Sequence, residues 1–332
     1  MFSGKKILIT GGTGSLGQAL TKRLLEVDVD TVRIFSRNEN NQFQMNSKFS
    51  DDRIRFFVGD VRDLERLKRA LEDVDIVFHA AALKHVPVVE YNPFEAIKTN
   101  VIGTQNIIDA CLNENVEKVI AIGTDKGVSP LNTYGATKLL MEKLFVTANY
   151  YLNKKRHRTK FIAIRYGNVF GSNGSVIHKF IQQIRNNEKI TITDPNMTRF
   201  SITIDKALDF ILESSQIGQG SEIFVPKLRA YSIMDLKDAL TELSGNPGEQ
   251  IIGIRPGEKL HEVLINDDEI RYTWETNNKY VILLRQELEE RISNQQFQKT
   301  KLLSNYSSNS VEKITKSELK SMITNSSLLN MK

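Results

Sequence analysis

The apolar run Lys6-Ile-Leu-Ile-Thr10 passes directly into Gly11-Gly-Thr-Gly14-Ser-Leu-Gly17, and an amphipathic stretch follows. Glycines there let the chain turn tightly off a strand and bring its backbone close to a ligand, while the next helix offers unpaired N–H groups and the positive end of its dipole. A glycine-rich turn alone is common. Placed between the first strand and first helix of a chain that keeps alternating the two, it reads as a pyrophosphate cradle for a dinucleotide, against the alternative of an empty structural turn.

The alternation is present. Short apolar runs at 32–35, 54–58, 75–78, 118–122 and 161–164 follow the first strand, and helical patterns lie near 15–26, 63–72, 94–114 and 134–153. That order predicts an α/β fold with a Rossmann-type doubly wound parallel sheet. Farther along, helices are expected at 175–184, 205–214, 232–243 and 257–265, with a strand at 189–193 and an apolar run at 251–254. Ser232-Ile-Met-Asp235 has the spacing of a capping box. We therefore expect a dinucleotide-binding domain over 1–168, a smaller mixed α/β substrate-binding region over 169–285 interleaved with the sheet, and a C-terminal arm over 286–332 with one helical stretch from Ser317 to Ile323.

Composition narrows the classes of function. A chain of 332 residues with 40% hydrophobic and 26% charged residues is an ordinary globular protein able to bury a sizeable core. Its 45 basic and 40 acidic residues leave a net charge of +5, spread along the chain without the basic and aromatic pattern of an RNA binder. We expect no nucleic-acid partner. Cys111 is the single cysteine and sits in an apolar pattern, which suits a buried thiol and excludes a disulfide within the chain. No signal-type segment opens the chain and no stretch approaches the ~18 apolar residues of a membrane span, so a cytoplasmic protein without a membrane partner is expected.

Strand ends carry the candidate chemistry. The second strand ends in Phe35-Ser36-Arg37, where a hydroxyl and a guanidinium fork suit the 2′-phosphate of NADP better than the acid usual for NAD. Asp60, after the third strand, is placed to accept from the adenine amine. His79-Ala80-Ala81-Ala82 closes the fourth strand with small side chains over which a cofactor lies flat, and His79 reads as a packed strand histidine. After the fifth strand comes Thr124-Asp125-Lys126, then Tyr134 and Lys138 one helical turn apart on one face. An ammonium beside a tyrosine favours the phenolate, a base able to take a hydroxyl proton while hydride leaves the same carbon. The competing reading is a tyrosine and a lysine that merely share a helix face.

With the glycine turn, Asp60, the alanine run, Asn100 and Tyr134-x-x-x-Lys138 in this order, the chain resembles the extended short-chain dehydrogenase/reductase family. The segments His79-Ala-Ala-Ala-Leu-Lys-His-Val-Pro87, Glu90-Tyr-Asn-Pro93, Thr124-Asp-Lys126, Arg165-Tyr-Gly-Asn168, Thr193-Asp-Pro-Asn-Met-Thr-Arg199 and Arg255-Pro-Gly-Glu-Lys-Leu-His261 look like the soluble UDP-N-acetylglucosamine 4,6-dehydratases. The 5-inverting enzymes that begin pseudaminic acid biosynthesis are the nearest in pattern. The family commonly has Ser and Ala where this chain has Gly123 and Gly127.

The resemblance implies a sugar oxidised at C4 by NADP, then loss of water across C5 and C6, then return of hydride to C6. Tyr134 is then the base at the 4-hydroxyl, Lys138 the holder of the nicotinamide ribose that keeps Tyr134 acidic, and Thr124 a donor to the C4 oxygen. Lys126 is the base at C5 and Asp125 the acid at the 6-hydroxyl, with a lysine pKa that burial or a cation such as Lys84 must depress. The resemblance further implies cofactor contacts from Gly11, Thr13, Gly14, Ser15, Leu16, Gly17, Ser36, Arg37, Asn38, Asp60, Val61, Ala80, Ala81, Ala82, Lys84, Asn100, Tyr166 and Asn168. It implies substrate contacts from Lys84, His85, Asn168, Val176, Thr193, Met197, Arg199, Arg255 and Glu258. No metal site is expected, NADP is tightly bound and recycled, and a homo-oligomer, dimer or hexamer, is implied. A C5-retaining dehydratase, a UDP-sugar epimerase and a non-catalytic NADP-binding regulator are the alternatives.

Overall fold

The computed structural model describes residues 1–172, 174–284, 297–326 and 328–330. The first half of the chain forms β1 (Lys6–Thr10), α1 (Ser15–Leu25), β2 (Thr31–Ser36), α2 (Glu39–Phe49), β3 (Ile54–Val58), α3 (Leu64–Leu71), β4 (Ile76–His79), α4 (Val86–Tyr91), α5 (Pro93–Ile97), α6 (Gly103–Asn113), β5 (Lys118–Ile122), α7 (Thr133–Ala148) and β6 (Lys160–Ile164). The second half supplies β7 (Asn168–Val169), α8 (Val176–Arg185), β8 (Ile190–Ile192), β9 (Thr198–Ile202), α9 (Ile204–Ile217), β10 (Ile223–Pro226), β11 (Ala230–Ser232), α10 (Ile233–Ser244) and β12 (Glu249–Ile251). Then come β13 (Val263–Ile265), α11 (Asp267–Ile270), β14 (Thr273–Glu275), β15 (Lys279–Ile282), β16 (Gln298–Lys299), β17 (Tyr306–Ser307) and α12 (Lys316–Asn325).

The main sheet runs β3-β2-β1-β4-β5-β6-β10 with all neighbours parallel, and continues through β15, β14 and β16 antiparallel. Strand order reverses between β1 and β4, and in an open sheet of this kind the crevice at the carboxyl ends beside that switch receives the ligand. Both faces are covered. On β1, Leu8 packs with Leu67, Ile107 and Phe145, while Ile7 and Ile9 pack with Leu20, Leu24 and Ile211 on the other side. That is the period of two of a strand buried on both faces, each such side chain contributing about 1.5–3 kcal/mol.

A third apolar cluster lies under the smaller region, where Ile177 and Phe180 of α8 meet Leu236 and Leu240 of α10 and Leu319 and Ile323 of α12. The described part of the arm is therefore packed on the body. Residues 286–296 of that arm lie outside the described residues.

Several expected elements differ. The stretch expected as a helix at 257–265 is a turn followed by β13, because Pro256 and Gly257, at φ +77°, break helical geometry and Val263–Ile265 pairs antiparallel with β17 in the arm. The single helical pattern near 94–114 is α5, one π-helical turn at Lys98–Ile102 and α6. Ser232 caps α10 by accepting from the amides of Met234 and Asp235. Helix α2 escaped the periodicity because it buries only Gln42 and Met45.

Candidate active site

A cleft of about 750 Å³ opens along the carboxyl ends of the parallel strands. Its floor begins at the β1–α1 turn. A Cβ on Gly17 would stand 2.4 Å from the Gly12 carbonyl oxygen, so only glycine lets the helix start so near the strand end. No side chain caps α1, which leaves its first-turn amides for an anion. Gly11, Thr13, Gly14, Ser15 and Leu16 line the same wall.

Past β2 the cleft is lined by Ser36, Arg37, Asn38 and also Asn41. The Ser36 hydroxyl accepts from Gln42 Nε2 at 3.0 Å, and the half-exposed Arg37 fork stands 3.9 Å from Asp60. Asp60 is clasped by Arg62 at 2.7 and 3.0 Å; burial works against its charge, but these bonds hold its carboxyl below the ordinary range. Val61, Ala80, Ala81, Ala82, Lys84 and His85 continue the wall. His79 is fully buried between the hydroxyls of Thr10 (2.8 Å) and Thr104 (3.2 Å), and burial pushes its pKa down to about 3, so it packs as a neutral ring.

Asn100 does not line the cleft. It is buried in the π-turn, where it accepts from Leu83 N at 2.8 Å and donates to Leu83 O at 2.9 Å and Thr137 Oγ1 at 3.0 Å, tying the loop after β4 to α7. It is thus a brace behind the cleft wall.

Helix α7 starts with Asn132 accepting from the Gly135 amide at 2.8 Å, and so presents Tyr134 and Lys138 to the cleft. Lys138 Nζ donates to Ile122 O at 2.7 Å and Met141 Sδ at 3.2 Å, and burial lowers its pKa to about 8. Burial raises Tyr134 to about 12, and the cation that opposes the rise is Lys126, with the Thr124 hydroxyl assisting. The expectation that Lys138 keeps Tyr134 acidic is corrected here: its ammonium is turned to the end of β5.

Thr124-Asp125-Lys126 forms a single tight turn off β5, with Thr124 capping the Lys126 amide. Asp125 is fully buried; its Oδ1 accepts from Thr124 Oγ1 at 2.9 Å and Lys126 Nζ at 3.1 Å. Thr124 and Lys126 line the cleft while Asp125 sits just behind them. Lys126 Nζ also lies 3.3 Å from Asn168 Oδ1 and 3.3 Å from Glu262 Oε1. Burial alone would lower the lysine, but the two carboxylates outweigh it and hold its pKa above the ordinary value. The expected depression is not found, and the neighbouring cation is Arg199 in place of Lys84. Burial first, and the nearby Glu262 charge, push the Asp125 carboxyl up, as an acid requires.

Of the expected substrate residues, Lys84, His85 and Asn168 line the cleft, as does Tyr166 of the cofactor set. Val176, Thr193, Met197, Arg199, Arg255 and Glu258 are not among its lining residues. Arg199 is buried, its fork donating to Thr198 O at 2.7 Å, Leu260 O at 3.0 Å and Met197 Sδ at 2.7 Å, and it lies 3.5 Å from Glu258 and 3.7 Å from Glu262. Thr193 donates to Met197, Val176 opens α8, and Arg255 is exposed beside Glu258. Ser172, Gly174 and Ser175 line the cleft instead, from the loop before α8. Among the described residues no group of three His, Cys, Asp or Glu side chains could hold a metal ion.

The sequence matches the family model described as "Polysaccharide biosynthesis protein" over residues 7–284. The chain belongs to that family. It is 51% identical to a Campylobacter jejuni protein named UDP-N-acetylglucosamine 4,6-dehydratase (inverting), over 85% of this chain and 84% of the relative. A Rickettsia felis protein named UDP-glucose 4-epimerase is 39% identical over 98% of this chain and 97% of its own. The solved structure titled Pen from Bacillus thuringiensis is 39% identical and superposes with a TM-score of 0.90 over 99% of both chains.

Besides Asn41 and the loop before α8, sequence reading passed over Glu262, one position beyond the Arg255 to His261 segment. Two signals bear on it in hindsight: an acid followed by the apolar run Val263–Ile265, and Ser307-Ser308 in the arm, which hold its backbone. Neither is local.

Proposed function

We propose that the chain dehydrates UDP-N-acetylglucosamine to a UDP-4-keto-6-deoxy-N-acetylhexosamine, with inversion at C5, using a bound NADP that leaves each turnover unchanged. The observation that carries this is one cleft edge bearing a hydride-transfer pair, Tyr134 with Lys138, beside Lys126, whose ammonium is bonded to Asp125 just behind the wall to make an acid–base pair. An epimerase or simple reductase needs only the first pair. The cradle fits a dinucleotide: uncapped first-turn amides on α1, glycines where a Cβ has no room, and small Ala80 to Ala82 side chains along the sheet edge. Arg37 at the end of β2 is our reason for preferring NADP to NAD.

Bound NADP would supply the hydride acceptor at C4 and the hydride donor at C6, and a proton added to C5 on the face opposite the one it left then completes the inverted product. Tyr134 takes the 4-hydroxyl proton, and Thr124 steadies the C4 oxygen. The resulting ketone acidifies the C5 proton. One proton moving along the 3.1 Å bond from Lys126 Nζ to Asp125 Oδ1 turns their ion pair into an amine and a carboxylic acid, the pair that elimination needs. Lys126 then takes the C5 proton, the C5–H electrons form the C5=C6 bond, and the C6–O bond breaks as Asp125 protonates the departing oxygen, so that water leaves. We take 1–168 as the cofactor-binding part and 169–285 as mainly substrate-binding. We also take the chain to act as a homo-oligomer, since Val88, Tyr91 and Phe94 on α4 and α5 are exposed apolar side chains on one stretch of surface.

The test is incubation with UDP-N-acetylglucosamine, reading loss of water by mass spectrometry and C5 configuration by proton NMR in deuterated water. Lys126→Ala should retain NADP and release no water; undiminished turnover removes Lys126 from the mechanism. A second reading, a UDP-sugar 4-epimerase, is favoured by the match to the Rickettsia protein along nearly the whole chain. It predicts interconversion of C4 epimers with no loss of mass.

A further inference from the structure

Resting on the dehydratase reading, we propose that Glu262 is a positioning residue for elimination: a buried carboxylate behind the cleft wall that holds Lys126 and sets the pH range in which Asp125 and Lys126 can act as acid and base. The geometry is specific. Glu262 Oε1 lies 3.3 Å from Lys126 Nζ and 3.7 Å from Arg199 Nε, while the side chain is 4% exposed and absent from the cleft lining. Its backbone is clamped on both sides by the arm. The Glu262 amide donates to Ser308 Oγ at 2.9 Å, and its carbonyl accepts from the Ser308 amide at 2.8 Å and Ser307 Oγ at 3.3 Å. Glu262 Oε2 and Asp125 Oδ2 are both buried with no hydrogen-bond partner among the described residues. A carboxylate left half-unpaired in such a place is costly unless its charge serves a neighbour.

The charge acts on both members of the pair. A negative neighbour favours the protonated form of a carboxyl and of an amine, so Glu262 pushes the proton affinity of Asp125 and of Lys126 in the same direction. Both are found raised, and Glu262 itself is held low by Lys126, Arg199 and Lys259 despite its burial. The other ionisable groups facing this cluster are Tyr134 from α7, Arg199 from β9, Tyr231 from β11, and Glu258 and Lys259 from the loop before β13. Neutralising Glu262 also removes a negative neighbour from Lys259 and Tyr231, and so lowers their proton affinity, whereas its charge is not among the causes acting on Tyr134.

Elimination needs Lys126 without its proton and Asp125 with one, so the two limbs of its pH profile belong to this pair. Removing the Glu262 charge should therefore move both limbs to lower pH, by about one to two units for a charge at this distance. The experiment uses NADP-loaded full-length chain and UDP-N-acetylglucosamine in single turnover across pH, following reduced nicotinamide by absorbance and dehydrated product by mass spectrometry. Glu262→Gln should shift the product-formation profile acidward while cofactor reduction at neutral pH stays within about threefold of wild type. Glu262→Asp, which keeps the charge, should restore the profile. A Glu262→Gln profile superimposable on wild type overturns the proposal, as does an equal loss of both steps in Glu262→Gln and Glu262→Asp. Absence of dehydrated product from the wild-type chain overturns the functional reading beneath it instead.

Discussion

Gly135 offers the sharpest test of how closely the two reacting pairs are mounted on each other. It follows Tyr134 at the start of α7, and a Cβ placed on it would lie 2.2 Å from the Lys126 carbonyl oxygen and 2.9 Å from Pro130 Cβ. Both obstacles are backbone or ring, with no flexible side chain to give way. Non-bonded carbon and carbonyl oxygen settle at roughly 3.3–3.6 Å, so Gly135→Ala must separate the Asp125–Lys126 turn from the start of α7 by about 1 Å. A misplacement of that size at a reacting centre costs about 100-fold in rate. Overpacking should also cost about 1–3 kcal/mol of stability, too little to unfold a domain of this size at assay temperature. The assay is kcat for dehydrated product, with circular dichroism to show that the chain is folded and a titration to show that NADP still binds. A folded Gly135→Ala chain with kcat within about threefold of wild type would refute the argument that these two elements must touch.

Arg37→Ala should weaken NADP by about tenfold, or ~1.4 kcal/mol, while leaving NAD unchanged, as read by calorimetric titration of both; equal losses would deny Arg37 a contact with the 2′-phosphate. Arg165 is fully buried and divides its fork between Glu142 on α7 and Glu269 on α11, so Arg165→Met strands two carboxylates and should cost about 3–5 kcal/mol in denaturant unfolding. Lys316 and Lys320 on α12 hold Glu242 on α10 down to about 2. Because that folded value lies below the ordinary 4.5, the stabilisation is present above about pH 4.5 and fades as pH falls toward 2. Glu242→Gln should flatten that part of the acid-melting curve, and an unchanged acid slope would show that this ion pair adds nothing to the docking of α12.

The parallel half of the fold was legible because its signals are local. Lys6–Thr10 and Lys118–Ile122 carry the near-continuous apolar runs that a buried strand between two helical layers must have, Ile54–Val58 carries a similar run at the sheet edge, and the expected limits of all three match the structure. The antiparallel edge was missed for the opposite reason. Thr273–Glu275 and Lys279–Ile282 are three and four residues long, and they become strands only by pairing with each other, with β10 and with the arm. The helix expected at 257–265 failed in the same way: the Val263–Ile265 run fits a helix face by period, but its partner in β17 decides the outcome.

The site divides along the same line. Residues at the ends of consecutive strands, Gly11 through Lys138, fall on one cleft because parallel order brings successive strand ends to one edge, and a sequence reader can count those ends. What the order of strands does not reveal is the electrical state of the residues it assembles. Lys126 looked like a base in need of a depressed pKa, yet it stands between two carboxylates, one adjacent in sequence and one delivered by the β13 loop. Tyr134 and Lys138 share a helix face, yet the lysine turns to Ile122 O and the cation that bears on the tyrosine is Lys126. Both corrections have one physical source. In a site this buried, charge is set by whichever partner the tertiary fold brings within about 4 Å, and a motif written in one stretch of chain holds only half of the pair. Lys126 and Tyr134 are therefore one electrostatic unit, and on the mechanism proposed above the ammonium that opposes the rise of the phenol gives up a proton before elimination. On that proposal the order of the two chemical steps rests on a single proton on Lys126.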